Sequence, residues 1–157
     1  MPIKYEHAPD IQTRVDELAR FLFPHVKLDS VVCLRSHGST SRGTIARCHT
    51  LGKAMQLALG RKGFYLIEVI AKRFDKMSEI DQTKTLIHEL MHIPKSFGGG
   101  FRHHDFVCEE NIEVEYRRFL ELKKSTGQET KDLLDQRFIK MKYPAIIIEE
   151  EPKRTWW

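Results

Sequence analysis

Residues 85–105 read TLIHELMHIPKSFGGGFRHHD, from Thr85 to Asp105. The stretch carries four of the chain's eight histidines: His88, His92, His103 and His104. His88 and His92 stand four positions apart, so on a helix they lie one above the other on a single face. Two imidazole nitrogens at that spacing reach one metal ion without bending the backbone. Glu89 sits about a third of a turn further round, off the ligand line but able to touch a water beside the metal. This is the H-E-x-x-H arrangement of zinc peptidases. Its surroundings read as a helix. Ser78 is a suitable cap with Asp81 three residues on. Ile80, Ile87 and Met91 line one face, with Thr83, Leu86 and Leu90 beside them, and Pro94 ends the run near Ile93.

The chemistry of such a site follows from charge. Zn²⁺ held by three protein ligands keeps one position open and makes hydroxide available near neutral pH. Glu89 would take the water's proton and deliver it to the leaving amine. The third ligand is open. A metzincin histidine would stand six residues after His92, where the chain has Gly98. His104 and the alternative His103 both follow a Gly-Gly-Gly loop that can turn the chain back. A glutamate from the next helix, Glu109, Glu110 or Glu113, is the third option.

Outward from this segment the pattern predicts an α+β domain with one small sheet packed on the helix that carries the histidines. Asp10 is placed to cap a first helix, whose apolar stripe is Ile11, Val15, Leu18 and Leu22, with Pro24 as its stop. Val26 to Leu34 and Thr44 to His49 read as two strands of a hairpin around the polar turn SHGSTSRG. Leu51 to Leu59 reads as a short helix, and Phe64 to Ile70 (FYLIEVI) as the clearest strand. Two more helices are predicted, from about Asp105 to Lys124 and from about Thr130 to Met141, then a strand at Ala145–Ile148. All of residues 1–157 is read as a single domain, with a mobile tail over about 149–157 whose Trp156 and Trp157 could cover the cleft.

Composition agrees. With 157 residues, 41% apolar and 31% charged, the chain can bury a core without staples. No apolar run approaches ~18 residues, and MPIKYEHAPD lacks the apolar stretch of a signal peptide. No membrane contact and a cytoplasmic location are expected. Cys33, Cys48 and Cys108 form no CxxC pair, and read as small buried hydrophobes rather than a disulfide framework or a cysteine zinc site. The net charge is +4. Between Ser30 and Ile67 no acid occurs, against six cations: Arg35, Arg42, Arg47, Lys53, Arg61 and Lys62. That segment is the candidate for nucleic-acid contact.

The segment HELMHIPKSFGGGFRHHD resembles the predicted metallopeptidases of archaea and some phages. These look like compact relatives of the SprT-like zinc peptidases, which include the Spartan proteases of DNA–protein crosslink repair. Upstream, LRSHGSTSRGTIARCHTLGKAMQLALG and FYLIEVIAKRFDKMS are similar to the part of that archaeal group preceding its metal helix. The resemblance spans roughly Val31 to Tyr116. It implies a zincin-like fold, a Zn²⁺ ligand set of His88, His92 and His104, and catalysis by Glu89. It also implies that Phe64–Ile70 edges the cleft and takes an extended peptide by main-chain hydrogen bonds. In such a cleft Arg35 and Arg42 could meet phosphate or an acidic group, and Tyr116 an oxyanion.

Two functions compete. The first is a zinc-dependent peptidase acting on a protein or peptide, and associated with DNA if it follows the SprT-like manner. The second is a non-catalytic, zinc-stabilised nucleic-acid-binding module, whose metal would supply folding energy. A purely structural site has no use for a glutamate beside its first histidine and more often recruits cysteines, which favours the enzyme.

Overall fold

The structure is a computed structural model that describes residues 2–126. The expected helix over 130–141, the strand over 145–148 and the tail lie outside the described residues. The elements are β1 (Lys4–His7), α1 (Pro9–Leu22), β2 (Val31–His37), β3 (Ala46–Thr50), α2 (Lys53–Leu59), β4 (Tyr65–Ile70), α3 (Ala71–Phe74), α4 (Glu79–Met91) and α5 (Glu109–Thr126). A 3₁₀ turn, Leu28–Ser30, leads into β2. This is an α+β arrangement with one sheet, as the pattern predicted.

The four strands run in the order β1-β2-β4-β3. β2 and β4 are parallel; the two outer pairs are antiparallel. The expected hairpin between β2 and β3 does not form. β4 lies between them, with Cys33 and Cys48 both opposite Ile67. The cause is the apolar character of FYLIEVI. Tyr65, Ile67, Val69 and Ile70 are all buried, and a strand buried on both faces belongs at the centre of a sheet. β4 is therefore not the cleft edge; β3 is. β1 was not foreseen. Its four residues are mostly exposed and show no apolar alternation.

α1 buries its predicted stripe, with Ile11, Val15, Leu18 and Leu22 all in the core. Asp10 does not cap it. Ala8 holds the cap position without a side-chain bond and Pro9 begins the helix, where a missing N–H costs nothing. Asp10 instead accepts two hydrogen bonds from Arg35, each 3.0 Å. Burial pushes the Asp10 carboxyl upward, but the bonds and charge of Arg35 outweigh it and hold the group below its ordinary value.

α1, α4 and α5 pack against one another, α1 on β2 and α4 on β3. Ser78 caps α4, accepting from the Asp81 N–H at 3.2 Å. Leu86, Ile87, Leu90 and Met91 are buried, which fixes the rotation of α4. Ile80 is not part of that face. It is 53% exposed, because the first turn of α4 is left uncovered. α5 begins at Glu109, four residues later than expected; the Phe106 and Val107 N–H groups are spent on the His103 carbonyl in a turn.

Candidate metal centre

The buried face of α4 sets the histidines. With Leu86, Ile87 and Leu90 committed to the core, His88 and His92 are turned toward β3 and the loop that follows the helix. α4 ends in a tight turn, with the His92 N–H bonded to the Glu89 carbonyl at 3.2 Å and the Ile93 N–H to the Leu90 carbonyl at 3.1 Å. The chain then passes through the glycines and returns. Arg102 N–H donates to the His92 carbonyl at 2.8 Å, and His92 Nδ1 lies 2.7 Å from the Arg102 carbonyl oxygen. A carbonyl only accepts, so Nδ1 carries the proton and Nε2 keeps its lone pair.

The returning loop is pinned from below. Tyr65 Oη accepts the Gly99 N–H at 3.0 Å and donates to the Gly100 carbonyl at 2.8 Å. Thr50 Oγ1 donates to the Gly99 carbonyl at 3.0 Å, and Gln56 Nε2 to the Gly98 carbonyl at 2.9 Å. Gly99 has φ +107, and a Cβ there would stand 2.8 Å from the Leu51 carbonyl oxygen. Only glycine fits. Sequence reasoning missed these supports. The triple glycine was the one visible sign that the backbone here comes close to something else.

Three imidazoles converge: His88, His92 and His104, whose ligand nitrogens all lie within 4.8 Å of one another. His88 Nε2 and His92 Nε2 are 3.2 Å apart. Tetrahedral zinc with Zn–N bonds of 2.0–2.1 Å separates its ligand nitrogens by about 3.3 Å, so this spacing fits the ion. The charge state fits as well. Burial, then the nearby His92 and His104, push His88 down to about 4. Burial also lowers His92, against the opposing pull of the Arg102 carbonyl. Both rings are neutral at pH 7, the form that binds metal. His103 stands outside the group, and so do Glu109, Glu110 and Glu113.

Glu89 is buried, 6% exposed. Its carboxyl is pushed up to about 7 by burial, partly offset by a hydrogen bond from the Cys48 backbone. It lies between two cavities of about 830 and 420 Å³, and His88, Glu89 and Ala46 line both. β3 therefore forms the wall of the cleft on the far side from α4.

The remaining expectations resolve residue by residue. Cys33 is buried and Cys48 packs against the core. Burial and the neighbouring Glu89 raise the Cys48 thiol well beyond its ordinary value, so it stays protonated. Arg35 is committed to Asp10 and Asp75, each at 3.0 Å, and is not placed to hold phosphate. Arg42 is exposed in the β2–β3 connection. Tyr116 packs at the edge of the core with Lys84 Nζ 5.1 Å from its ring centre, and is absent from the lining of both cavities. The basic segment is dispersed. Arg47 lies 3.8 Å from fully buried Glu68, while Lys53, Arg61 and Lys62 share a shallow hollow around α2. No helix among the described residues is long and apolar enough to cross a membrane.

Fold and cluster together define a small α+β domain built around a histidine site able to hold a metal ion. Comparison with known families is more specific: the chain belongs to the family described as "Putative phage metallopeptidase", which matches residues 3–136. Membership implies a metal ion and peptidase chemistry. No curated protein and no solved structure matches the chain.

Proposed function

We propose that the protein is a zinc-dependent peptidase in which His88, His92 and His104 hold the ion and Glu89 moves the proton. One observation carries this reading: three imidazoles converge beside a buried carboxyl at the junction of two cavities. A zinc ion held by these three histidines would supply Lewis acidity toward a carbonyl and a water molecule. Glu89, raised to about 7 by burial, is matched to accepting a proton and returning it to the leaving amine. The Arg102 carbonyl orients the His92 ring. β3 pairs only with β4 among the described residues, so an extended peptide can add to its outer edge by main-chain hydrogen bonds.

The resemblance of the metal segment to SprT-like zinc peptidases, with their zincin-like fold, supports the same assignment. Any nucleic-acid contact belongs at α2 and the turn that follows it, where Lys53, Arg61 and Lys62 gather around exposed Leu57. The non-catalytic module has less in its favour, since it needs a fourth protein ligand and His103 lies outside the group.

The test is hydrolysis of casein and of a mixed peptide library by the full chain loaded with one zinc, with and without single-stranded DNA. Cleavage that a chelator abolishes and added zinc restores is expected. A zinc-loaded chain that cuts nothing under any of these conditions would overturn the enzymatic reading.

A further inference from the structure

The two cavities beside the metal site differ in charge. The larger, of about 830 Å³, is walled by residues Gly43–Ala46, by α4 and by the first turns of α5. Ile45, Met77 and Ile112 give it apolar surface. Asp81, Glu109, Glu110 and Glu113 line it too, against a single cation, Lys84. Lys84 is already engaged, with its Nζ 2.7 Å from Glu113. Asp81, Glu109 and Glu110 make no salt bridge among the described residues. The smaller cavity holds Arg102, His49 and His103, and its one carboxylate is the shared Glu89.

We propose that the larger cavity is a specificity pocket for a lysine or arginine side chain of the substrate. This rests on the peptidase reading and names its substrate class. The carboxylates are more than a solvated acidic patch, because they surround a cavity whose inner wall is His88 and buried Glu89. A long basic side chain suits both features. Its methylenes lie along Ile45, Met77 and Ile112, and its cationic head reaches Glu109 and Glu110. A glutamate or aspartate at the same place meets like charge.

The side of the scissile bond follows from β3. The acidic cavity adjoins the Gly43–Ala46 end, and the smaller one the Cys48–His49 end. A peptide added antiparallel to β3, the slightly more stable pairing, enters past His49 and leaves over Ala46. The acidic cavity then receives a residue C-terminal to the bond that is cut.

The test compares the full-length wild type with Glu109→Gln/Glu110→Gln. Both side chains are exposed, so the fold is expected to survive. Mass spectrometry of a cleaved peptide library should show lysine and arginine enriched about tenfold over acidic residues on the C-terminal side of the cut, the scale of one or two partly exposed ion pairs. The double variant should lose that enrichment, with its zinc content and thermal midpoint matching the wild type. Cleavage without the enrichment, or enrichment that survives in the variant, would overturn the proposal. Binding separates this from failure of the peptidase reading. If nothing is cut, fluorescence anisotropy of the zinc-loaded chain with labelled Ala-Ala-Lys-Ala and Ala-Ala-Glu-Ala peptides decides it. Preference for the lysine peptide, lost in the variant, retains the pocket alone; equal binding removes it.

Discussion

His92 and Arg102 hold each other twice: the Arg102 N–H reaches the His92 carbonyl at 2.8 Å, and His92 Nδ1 lies 2.7 Å from the Arg102 carbonyl oxygen. The clasp closes the glycine loop and brings His104 back to the end of α4. Both bonds use the backbone of Arg102, so its side chain is dispensable to them. Arg102→Ala should leave zinc affinity nearly unchanged. Gly99→Ala should not, because its Cβ would meet the Leu51 carbonyl. A loss of about 1–3 kcal/mol in stability and roughly 10–100-fold in zinc affinity is expected. Thermal melts and a chelator competition on both variants check this.

Tyr65 supports the same loop from the centre of the sheet. Its hydroxyl accepts from Gly99 and donates to Gly100. Tyr65→Phe strands both backbone groups, at a cost of about 1–3 kcal/mol, so the midpoint of denaturant unfolding should fall. An unchanged midpoint would mean that water or the ring alone holds the loop.

The metal-free protein should show opposing pH effects. His88 titrates near 4 in the fold and near 6.5 when unfolded. Between these values the unfolded chain binds the extra proton, so stability rises with pH. His92 is lowered too and acts in the same direction. Glu89, raised to about 7, does the reverse: the folded chain binds the extra proton, and stability falls as pH rises from about 4.5 to 7. Removing that charge in Glu89→Gln should therefore steepen the gain in stability between pH 4.5 and 6.5. Urea unfolding of metal-free wild type and variant across that range is the measurement. Parallel pH curves would contradict the burial of Glu89.

How much of this was legible depended on range. The helix that carries His88 and His92 was readable because its signals are local: the histidine spacing, Ser78 and Pro94 all act within a few residues. The strand order was not. Val31–His37 and Ala46–Thr50 are separated by a polar turn that looks like a hairpin, and only the burial of Tyr65–Ile70 on both faces explains why β4 comes between them. His104 was one of several choices because its position depends on loop closure by Tyr65, Thr50 and Gln56, hydrogen bonds spanning 35 to 49 residues that leave no periodic trace. Arg35 shows the same limit. Its partners Asp10 and Asp75 lie 25 and 40 residues away, so in sequence it read as a free cation.

A role for α2 in nucleic-acid contact makes a separate prediction. Replacing Lys53, Arg61 and Lys62 with glutamine should weaken binding of single-stranded DNA. It should also reduce the slope of log affinity against log salt by about 2, at roughly 0.7 for each phosphate no longer neutralised. Metal content should not change. Equal binding and slope in the variant would place any DNA contact elsewhere.

The role of Glu89 stands or falls on Glu89→Gln, with zinc content and peptide hydrolysis measured on the same preparation. About one zinc per chain is expected in both proteins, with hydrolysis in the variant lower by roughly 10²–10⁴-fold. Hydrolysis undiminished in a zinc-loaded Glu89→Gln chain would contradict it.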